Sequence, residues 1–341
     1  MTDRENDMKT ALVLGASGGI GGEVARRLVR TGWQVRGLKR GLPRETVDAD
    51  GIAWFAGDAL QTADVTRAAQ GCSVIVHAVN PPGYHDWASL VPAMLDNTIA
   101  AAAANDALIV LPGTVYNYGP DAFPLVAEDA PQHPATRKGA LRVRMESTLR
   151  DHAAQGGRVL IVRAGDFFGP HLGNSWFAQG MIKPGRPVRR IANPNRPGVG
   201  HQWAYLPDVA ATMAALIERR AELPGFARFH MAGHWDPDGG ALCAAVRRVV
   251  ARRGGSAKVG AFPWWLVRLA VPFNETLREL WEMRYLWRES VRMDNARLVA
   301  FLGAEPHTPL DEAVERTLEG LGCLPAAVPV PAAPVRARAA G

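Results

Sequence analysis

The sequence is poor in cysteine. Its three residues, Cys72, Cys243 and Cys323, are odd in number and widely spaced, so they supply neither a disulfide framework nor a metal-ligand set. A reducing cytoplasm is the setting that this usage suggests. A long hydrophobic run is also missing: the nearest approach, Phe262 to Pro272, is bracketed by prolines and interrupted by Arg268, which argues against a membrane span. The opening stretch from Thr2 to Lys9 is polar and charged, unlike a secretory signal. There is no Lys/Arg-rich block with interleaved aromatics, so no nucleic-acid partner is expected. The surplus charge of +6 is mostly arginine and spread out, which favours small anions such as phosphates. His85, His133, His171 and His234 show no metal spacing and are assigned no role, and no internal repeat is present.

What is present is an ordinary soluble balance, 48% hydrophobic and 21% charged over 341 residues, enough for one large α/β domain or a nucleotide domain with a smaller partner. Short apolar strands alternate with helical stretches through the first half, the pattern of a parallel sheet wrapped by helices. Strands are expected at Thr10–Leu14, Trp33–Leu38, Ile52–Phe55, Ser73–Ala78, Leu108–Leu111 and Arg158–Arg163. Helices are expected at Glu23–Thr31, Ala63–Ala69, Leu90–Asn105 and Lys138–Gly156. Residues 171–202, rich in Gly, Pro, Asn and Arg, read as a long functional loop. A helix at Asp208–Arg220 and a strand at Arg228–Ala232 then rejoin the sheet, and Gly239 to Gly322 is mainly helical and rich in tryptophan. The expected fold class is therefore α/β: a Rossmann-type doubly wound parallel sheet (8–170, with 203–235 rejoining it) and a smaller, mainly helical C-terminal substrate part (171–202 and 236–322). The Pro/Ala-rich stretch 323–341 is expected to be disordered.

Gly15, Ser17, Gly18, Gly19, Ile20 and Gly21 lie between the first strand and the first helix. Glycines there let the backbone turn sharply and approach a pyrophosphate, while the helix N-terminus offers free N–H groups to the anion. The second strand ends in Arg36-Gly37-Leu38-Lys39-Arg40 with no carboxylate before Glu45. An acidic side chain at that place would accept from a ribose 2′-hydroxyl, whereas Lys39 and Arg40 suit a 2′-phosphate, so NADP is favoured over NAD.

Further matches follow: Gly57-Asp58-Ala59, His77-Ala78-Val79-Asn80, Asn97, Tyr118-Gly119, Arg163 to Pro170, and Leu206-Pro207-Asp208-Val209-Ala210. Together with the glycine turn they resemble the extended and atypical short-chain dehydrogenase/reductase family, often labelled NAD-dependent epimerase/dehydratase, over roughly residues 9 to 322. The resemblance implies that Asp58 contacts adenine, that Ala59, Ala78, Val79, Asn80, Asn97, Lys138 and Ala164 help to hold the cofactor, and that two copies of the chain form a homodimer. Thr114 fills the family's Ser/Thr position. The family's Tyr-x-x-x-Lys pair is replaced: with Glu146 fixing the register, Lys138 falls where Tyr belongs and Arg142 where Lys belongs. This Lys-x-x-x-Arg pattern is similar to the isoflavone-reductase-like branch, in which a lysine takes the tyrosine's role.

Two readings of that pair stand open. Lys138 serves as general acid if burial and Arg142 depress its pKa, while Arg142 holds the nicotinamide ribose. Alternatively the two are an i, i+4 cationic face on a solvated helix. Tyr116 or Tyr118 is a second source of the missing phenol. Around the substrate, Asp166 stands where the family has Asn, Ala164 where it has Pro, and His201 where nucleotide-sugar members have a diphosphate-gripping Arg. Arg186, Arg189, Arg190 and Arg196 either compensate Asp166 or are solvent-facing loop charges. Trp176-Phe177 is the preferred aromatic pair for substrate contact, the other tryptophans being a lid or plain core. Three functions result: an NADP(H)-dependent oxidoreductase acting on a small carbonyl or alcohol; a nucleotide-sugar epimerase or dehydratase that retains NAD; and a nucleotide-binding sensor or scaffold without catalysis.

Overall fold

The computed structural model describes residues 9–81, 86–172, 175–273 and 275–324. His85 and the stretch 325–341 lie outside the described residues. The first half runs β1 (Thr10–Leu14), α1 (Gly19–Arg30), β2 (Gln34–Lys39), β3 (Thr46–Val47), β4 (Ile52–Ala56), α2 (Thr62–Ala69), β5 (Val74–His77), α3 (Trp87–Asn105) and β6 (Leu108–Gly113). It continues through a 3-10 turn (Val115–Asn117), β7 (Leu125–Val126), α4 (Arg137–Ala154), β8 (Arg158–Arg163) and β9 (Asp166–Phe168). After a π-helical turn (Trp176–Met181) come β10 (Arg190–Asn193), β11 (His201–Tyr205), α5 (Leu206–Glu218), β12 (Phe226–His230), β13 (His234–Asp236), α6 (Ala241–Arg252) and β14 (Lys258–Ala261). The C-terminal part holds α7 (Trp264–Ala270), α8 (Glu275–Glu282), β15 (Arg292–Met293), α9 (Ala296–Leu302) and α10 (Leu310–Gly320).

The main sheet has the order β12-β8-β6-β5-β1-β2-β4-β3, parallel throughout except for the short antiparallel β3. Every residue of β1 is buried, as a central strand covered on both faces requires. Its side chains alternate: Ala11 and Val13 pack with Val24, Leu28 and Met213 on one face, Leu12 and Leu14 with Val65, Leu95 and Leu149 on the other. That is the doubly wound α/β arrangement. The chain leaves β1 toward β2 on one side and returns to β5 on the other, so a topological switch point opens at the C-terminal ends of β1 and β5, where such folds bind ligands. Helix α1 ends with Gly32 in the left-handed region, and Trp33 N–H closes back onto the Leu28 carbonyl at 3.1 Å, the geometry that only a glycine accepts without strain.

Two expectations need correcting. Residues 171–202 are not one long loop: they contain the π-helical turn and β10, and β9, β11 and β13 form a second, three-stranded sheet. These segments are three to six residues long, too short to register as a hydrophobic period. The packed chain also runs past residue 322, since Cys323 is fully buried and its carbonyl accepts from Val188 N–H at 3.1 Å. The strand that rejoins the main sheet does so in parallel register with β8, Phe226 opposite Val159. The second sheet and the C-terminal helices share their own core, built on Phe168, Phe177, Trp203, Leu242, Trp287 and Leu318.

Candidate active site

A cleft of about 700 Å³ opens at the switch point. Gly15, at φ +88°, begins the turn, and a Cβ there would lie 2.4 Å from the Ala78 carbonyl oxygen at the end of β5. A Cβ on Gly21 would lie 2.3 Å from the Gly15 carbonyl oxygen. The first glycine thus lets turn and strand close up, and the last lets the helix sit on the turn. Helix α1 starts at Gly19 rather than Glu23, so the glycines themselves form its first turn. Gly18 as N-cap brings no side-chain cap and no acid follows in the first turn, which leaves the helix's positive end open to an anion. A Cβ on Gly18 would meet nothing closer than the Gly15 oxygen at 3.3 Å. The cradle fits a dinucleotide pyrophosphate.

Of the residues expected at the cofactor, Gly15, Ser17, Gly18, Gly19, Ile20, Lys39, Arg40, Asp58, Ala59, Ala78, Val79 and Asn80 line this cleft. Lys39 and Arg40 are exposed at its rim, Lys39 5.7 Å from the Trp54 ring and Arg40 3.8 Å from Asp58. Three others act one layer behind: Gly21 through the close approach just described, Asn97 by donating to the Ala59 carbonyl at 2.9 Å, and Ala164 as a buried spacer. His77, which sequence reading passed over as a contact, lies in the floor. Its Nδ1 faces Thr98 Oγ1 at 2.7 Å, and Thr98 gives its own proton to the Met94 carbonyl, so His77 Nδ1 is the donor. Burial, then Arg142, pushes its pKa down to about 3, which keeps the ring neutral.

A second cavity of about 470 Å³ adjoins the first, sharing Trp87, Tyr116 and Phe167 with it. Its other walls include Trp176, Phe262, Val267, Leu277, Leu280, Met283 and Leu286, with Lys138, Asp166, Ser175 and Gln179 as polar points. Lys138 and Arg142 come from adjacent turns of α4, whose N-cap Thr136 accepts from Gly139 N–H at 3.0 Å. Gly139 is required because a Cβ there would stand 2.2 Å from the Tyr116 carbonyl. The helix is thereby drawn against the 3-10 turn that carries Tyr116. Arg142 lines the cofactor cleft and donates to Asn80 Oδ1 at 2.7 Å, whereas Lys138 lines the second cavity and not the first. The solvated-face reading therefore fails: Arg142 is buried and the Lys138 side chain is only 11% exposed. Lys138 Nζ stands 3.5 Å from Glu279 and 5.7 Å from the Trp87 ring. Burial pulls its pKa down to about 8 against the opposing pull of Glu279, and Arg142 adds to the lowering.

Thr114 lines the cofactor cleft and donates to Asn117 Oδ1 at 2.7 Å. Behind it, Arg163 and Glu146 form a buried pair at 2.7 and 2.9 Å, and Glu146 also accepts from Asn117 and Gln132 at 2.8 and 2.7 Å. Arg163 reaches the Thr114 carbonyl as well. This satisfied network ties β6, β8 and α4 into one frame for the site.

Tyr118 is not placed to supply a phenol: it is fully buried, its hydroxyl 3.3 Å from His230 Nε2 and its ring under Arg163. Tyr116, two residues earlier, faces both cavities. His201 does not touch the second cavity. It is buried behind Asp166, Nε2 to Oδ2 at 2.8 Å, stacked 3.9 Å from Trp287, with Nδ1 3.2 Å from the Leu286 carbonyl. Both ring nitrogens face oxygen acceptors. Asp166 thus has His201 as its hydrogen-bond partner. Arg186, Arg189, Arg190 and Arg196 are exposed and line neither cavity. Trp176 does line the second cavity, packed edge-on to Trp287 at 4.9 Å, whereas Phe177 is fully buried in the core of the second sheet and lines neither cavity.

His234, read as having no metal spacing, meets Asp208 and His307: one ligand-capable atom of each lies within 4.8 Å of the others. The three come from separate elements, which hides the grouping from the sequence. Both Asp208 oxygens already accept from Thr308 at 2.7 Å.

Comparison with known proteins gives a consistent picture. The pattern of the NAD dependent epimerase/dehydratase family matches residues 11–230. Among solved structures, UDP-glucuronic acid 4-epimerase from Bacillus cereus in complex with NAD superposes with a TM-score of 0.69 at 16% identity, over 92% of this chain and 96% of that one. UDP-glucose 4-epimerase from Brucella ovis in complex with NAD gives 0.69 at 16%, over 92% and 98%. A 2-alkyl-3-oxoalkanoate reductase of Shewanella oneidensis is 34% identical over 73 residues, 21% of this chain. That stretch spans 19% of the reductase's length. No helix among the described residues is long and apolar enough to cross a membrane.

Proposed function

The chain belongs to the NAD dependent epimerase/dehydratase family, and from that premise we propose that it is an NADP(H)-dependent oxidoreductase acting on a small carbonyl or alcohol with apolar substituents. The second cavity carries this reading, because its walls are mostly aromatic and aliphatic, and two of its polar points, Lys138 beside Trp87 and Asp166 next to Phe167 in the chain, adjoin residues shared with the cofactor cleft. When bound in that cleft, the nicotinamide cofactor supplies or accepts the hydride. Lys138, lining the substrate side with a lowered pKa, gives a proton to the carbonyl oxygen during reduction and takes it back during oxidation. Arg142 cannot exchange a proton, and its place in the cofactor cleft suits a ribose hydroxyl. Tyr116 orients the substrate oxygen from the boundary of the two cavities, in the part expected for Thr114, whose hydroxyl proton is engaged by Asn117.

A second reading, a nucleotide-sugar epimerase that retains NAD, is favoured by the likeness to UDP-sugar epimerases solved with NAD. The apolar lining and the lack of an arginine among the described residues of the second cavity weigh against a diphosphate there. Nucleotide titration separates the two. Tryptophan quenching with the emptied protein should give tighter binding of NADPH than of NADH. The double variant Lys39→Ala/Arg40→Ala should weaken NADPH by about tenfold or more, the worth of a lost charge-assisted contact, and leave NADH unchanged. A protein that purifies with tightly held NAD⁺ would favour the epimerase.

A further inference from the structure

Helix α7 has two faces. Trp264 and Val267 turn inward, and Val267 lines the second cavity together with Phe262, which precedes the helix. On the outer side Trp265 is 65% exposed, Leu266 48%, Leu269 65%, and Phe273 just beyond the helix 89%. Large apolar side chains do not crowd together in water on one short segment without a partner. The surroundings are cationic. Arg268 and Arg288 are exposed, Arg284 lies over the Trp281 ring at 3.5 Å, and none of the three has an ion pair among the described residues. Their proximity is felt: after burial, Arg288 and Arg268 are what lower the pKa of Arg284. Of the nearby carboxylates, Glu279 and Glu282 pair with Arg137, and Glu279 also with Lys138, while Glu289 beside Arg288 is exposed.

We propose that this face, Trp265, Leu266, Leu269 and Phe273 rimmed by Arg268, Arg284 and Arg288, docks the protein on an anionic membrane surface. The indole and aliphatic side chains enter the headgroup boundary while the guanidinium groups meet lipid phosphates, as in other interfacial helices. A second copy of the chain fits less well, because a two-fold interface sets the same patch against itself and would bring the arginines face to face. Docking would place the wall of the apolar cavity at the lipid, so that a hydrophobic substrate passes from bilayer to cavity without crossing water. That consequence rests on the reading of the cavity given above; the docking itself does not.

Co-sedimentation with phosphatidylcholine vesicles, with and without phosphatidylglycerol, tests it in the absence of nucleotide or substrate. Binding is expected to the phosphatidylglycerol vesicles, to weaken with salt, and to be on the order of tenfold weaker on phosphatidylcholine alone. Trp265→Glu/Leu269→Glu, neither residue lining a cavity, should abolish it while circular dichroism and nucleotide quenching stay unchanged. Arg268→Gln/Arg284→Gln/Arg288→Gln should remove the anionic preference. No binding to either vesicle overturns the proposal, and equal binding to both overturns the part assigned to the arginines. A dimer that Trp265→Glu/Leu269→Glu dissociates, seen by light scattering with no vesicle binding, would instead make this face a contact between copies. Failure here leaves the oxidoreductase reading intact, since no turnover is measured.

Discussion

Lys138→Ala should lower turnover by about 100- to 10,000-fold, the usual contribution of a positioned general acid, with little change in nucleotide affinity. The separation follows from the geometry: Lys138 lines the substrate cavity and Arg142 the cofactor cleft, one helical turn apart. A solvated lysine would have no such effect, but this one is buried against Trp87 and Glu279. The pH profile sharpens the expectation. A lysine with its pKa drawn down to about 8 is cationic below that value and can donate. Carbonyl reduction should therefore be level at lower pH and fall as pH rises through about 8, while alcohol oxidation should gain over the same range. Lys138→Arg keeps the charge but not an exchangeable proton, so it should be slow at every pH and lose that limb. If Lys138→Ala retains full turnover, Tyr116 becomes the proton donor to test.

Gly15→Ala should cost both stability and cofactor. At φ +88° a Cβ carries a conformational penalty of about 1–3 kcal/mol, and here it would also stand 2.4 Å from the Ala78 carbonyl, a backbone atom that cannot swing aside. The turn and the end of β5 must separate, and with them the donors facing the pyrophosphate. Gly32→Ala is the control: its φ is +86° but a Cβ there meets nothing within 4 Å, and the residue is remote from the cleft. It should lose only the conformational part, seen as a modest fall in the denaturant midpoint, with nucleotide quenching intact. Equal loss of binding in both variants would mean that global destabilisation, not the close approach, governs the site.

The sheet was legible because its strands are short apolar runs separated by helices of helical period, and the glycine turn because only backbone needs explain three glycines at that spacing. The cofactor cleft followed from position alone, since residues at the C-terminal ends of β1, β2, β4 and β5 converge whatever their side chains. The substrate side was harder. Phe262, Val267, Leu280 and Met283 carry no signal of their own in one dimension, and only packing makes them the walls of a cavity. Tyr116 and Tyr118 are two residues apart, yet one faces both cavities and the other is sealed against His230 and Arg163. The turn Val115–Asn117 reverses their directions, and nothing in the residue types announces it. His201 likewise stood at a position expected to contact substrate, and turned out to hold Asp166 from behind.

The most direct test of the account is the dependence of kcat/KM on substrate size, measured with NADPH over a homologous series of carbonyl compounds of growing alkyl length, beside a UDP-sugar. An apolar cavity should raise kcat/KM by about fourfold for each added methylene, the equivalent of about 0.8 kcal/mol, until its length is filled. A flat response, or turnover confined to the UDP-sugar with NAD retained, would contradict it.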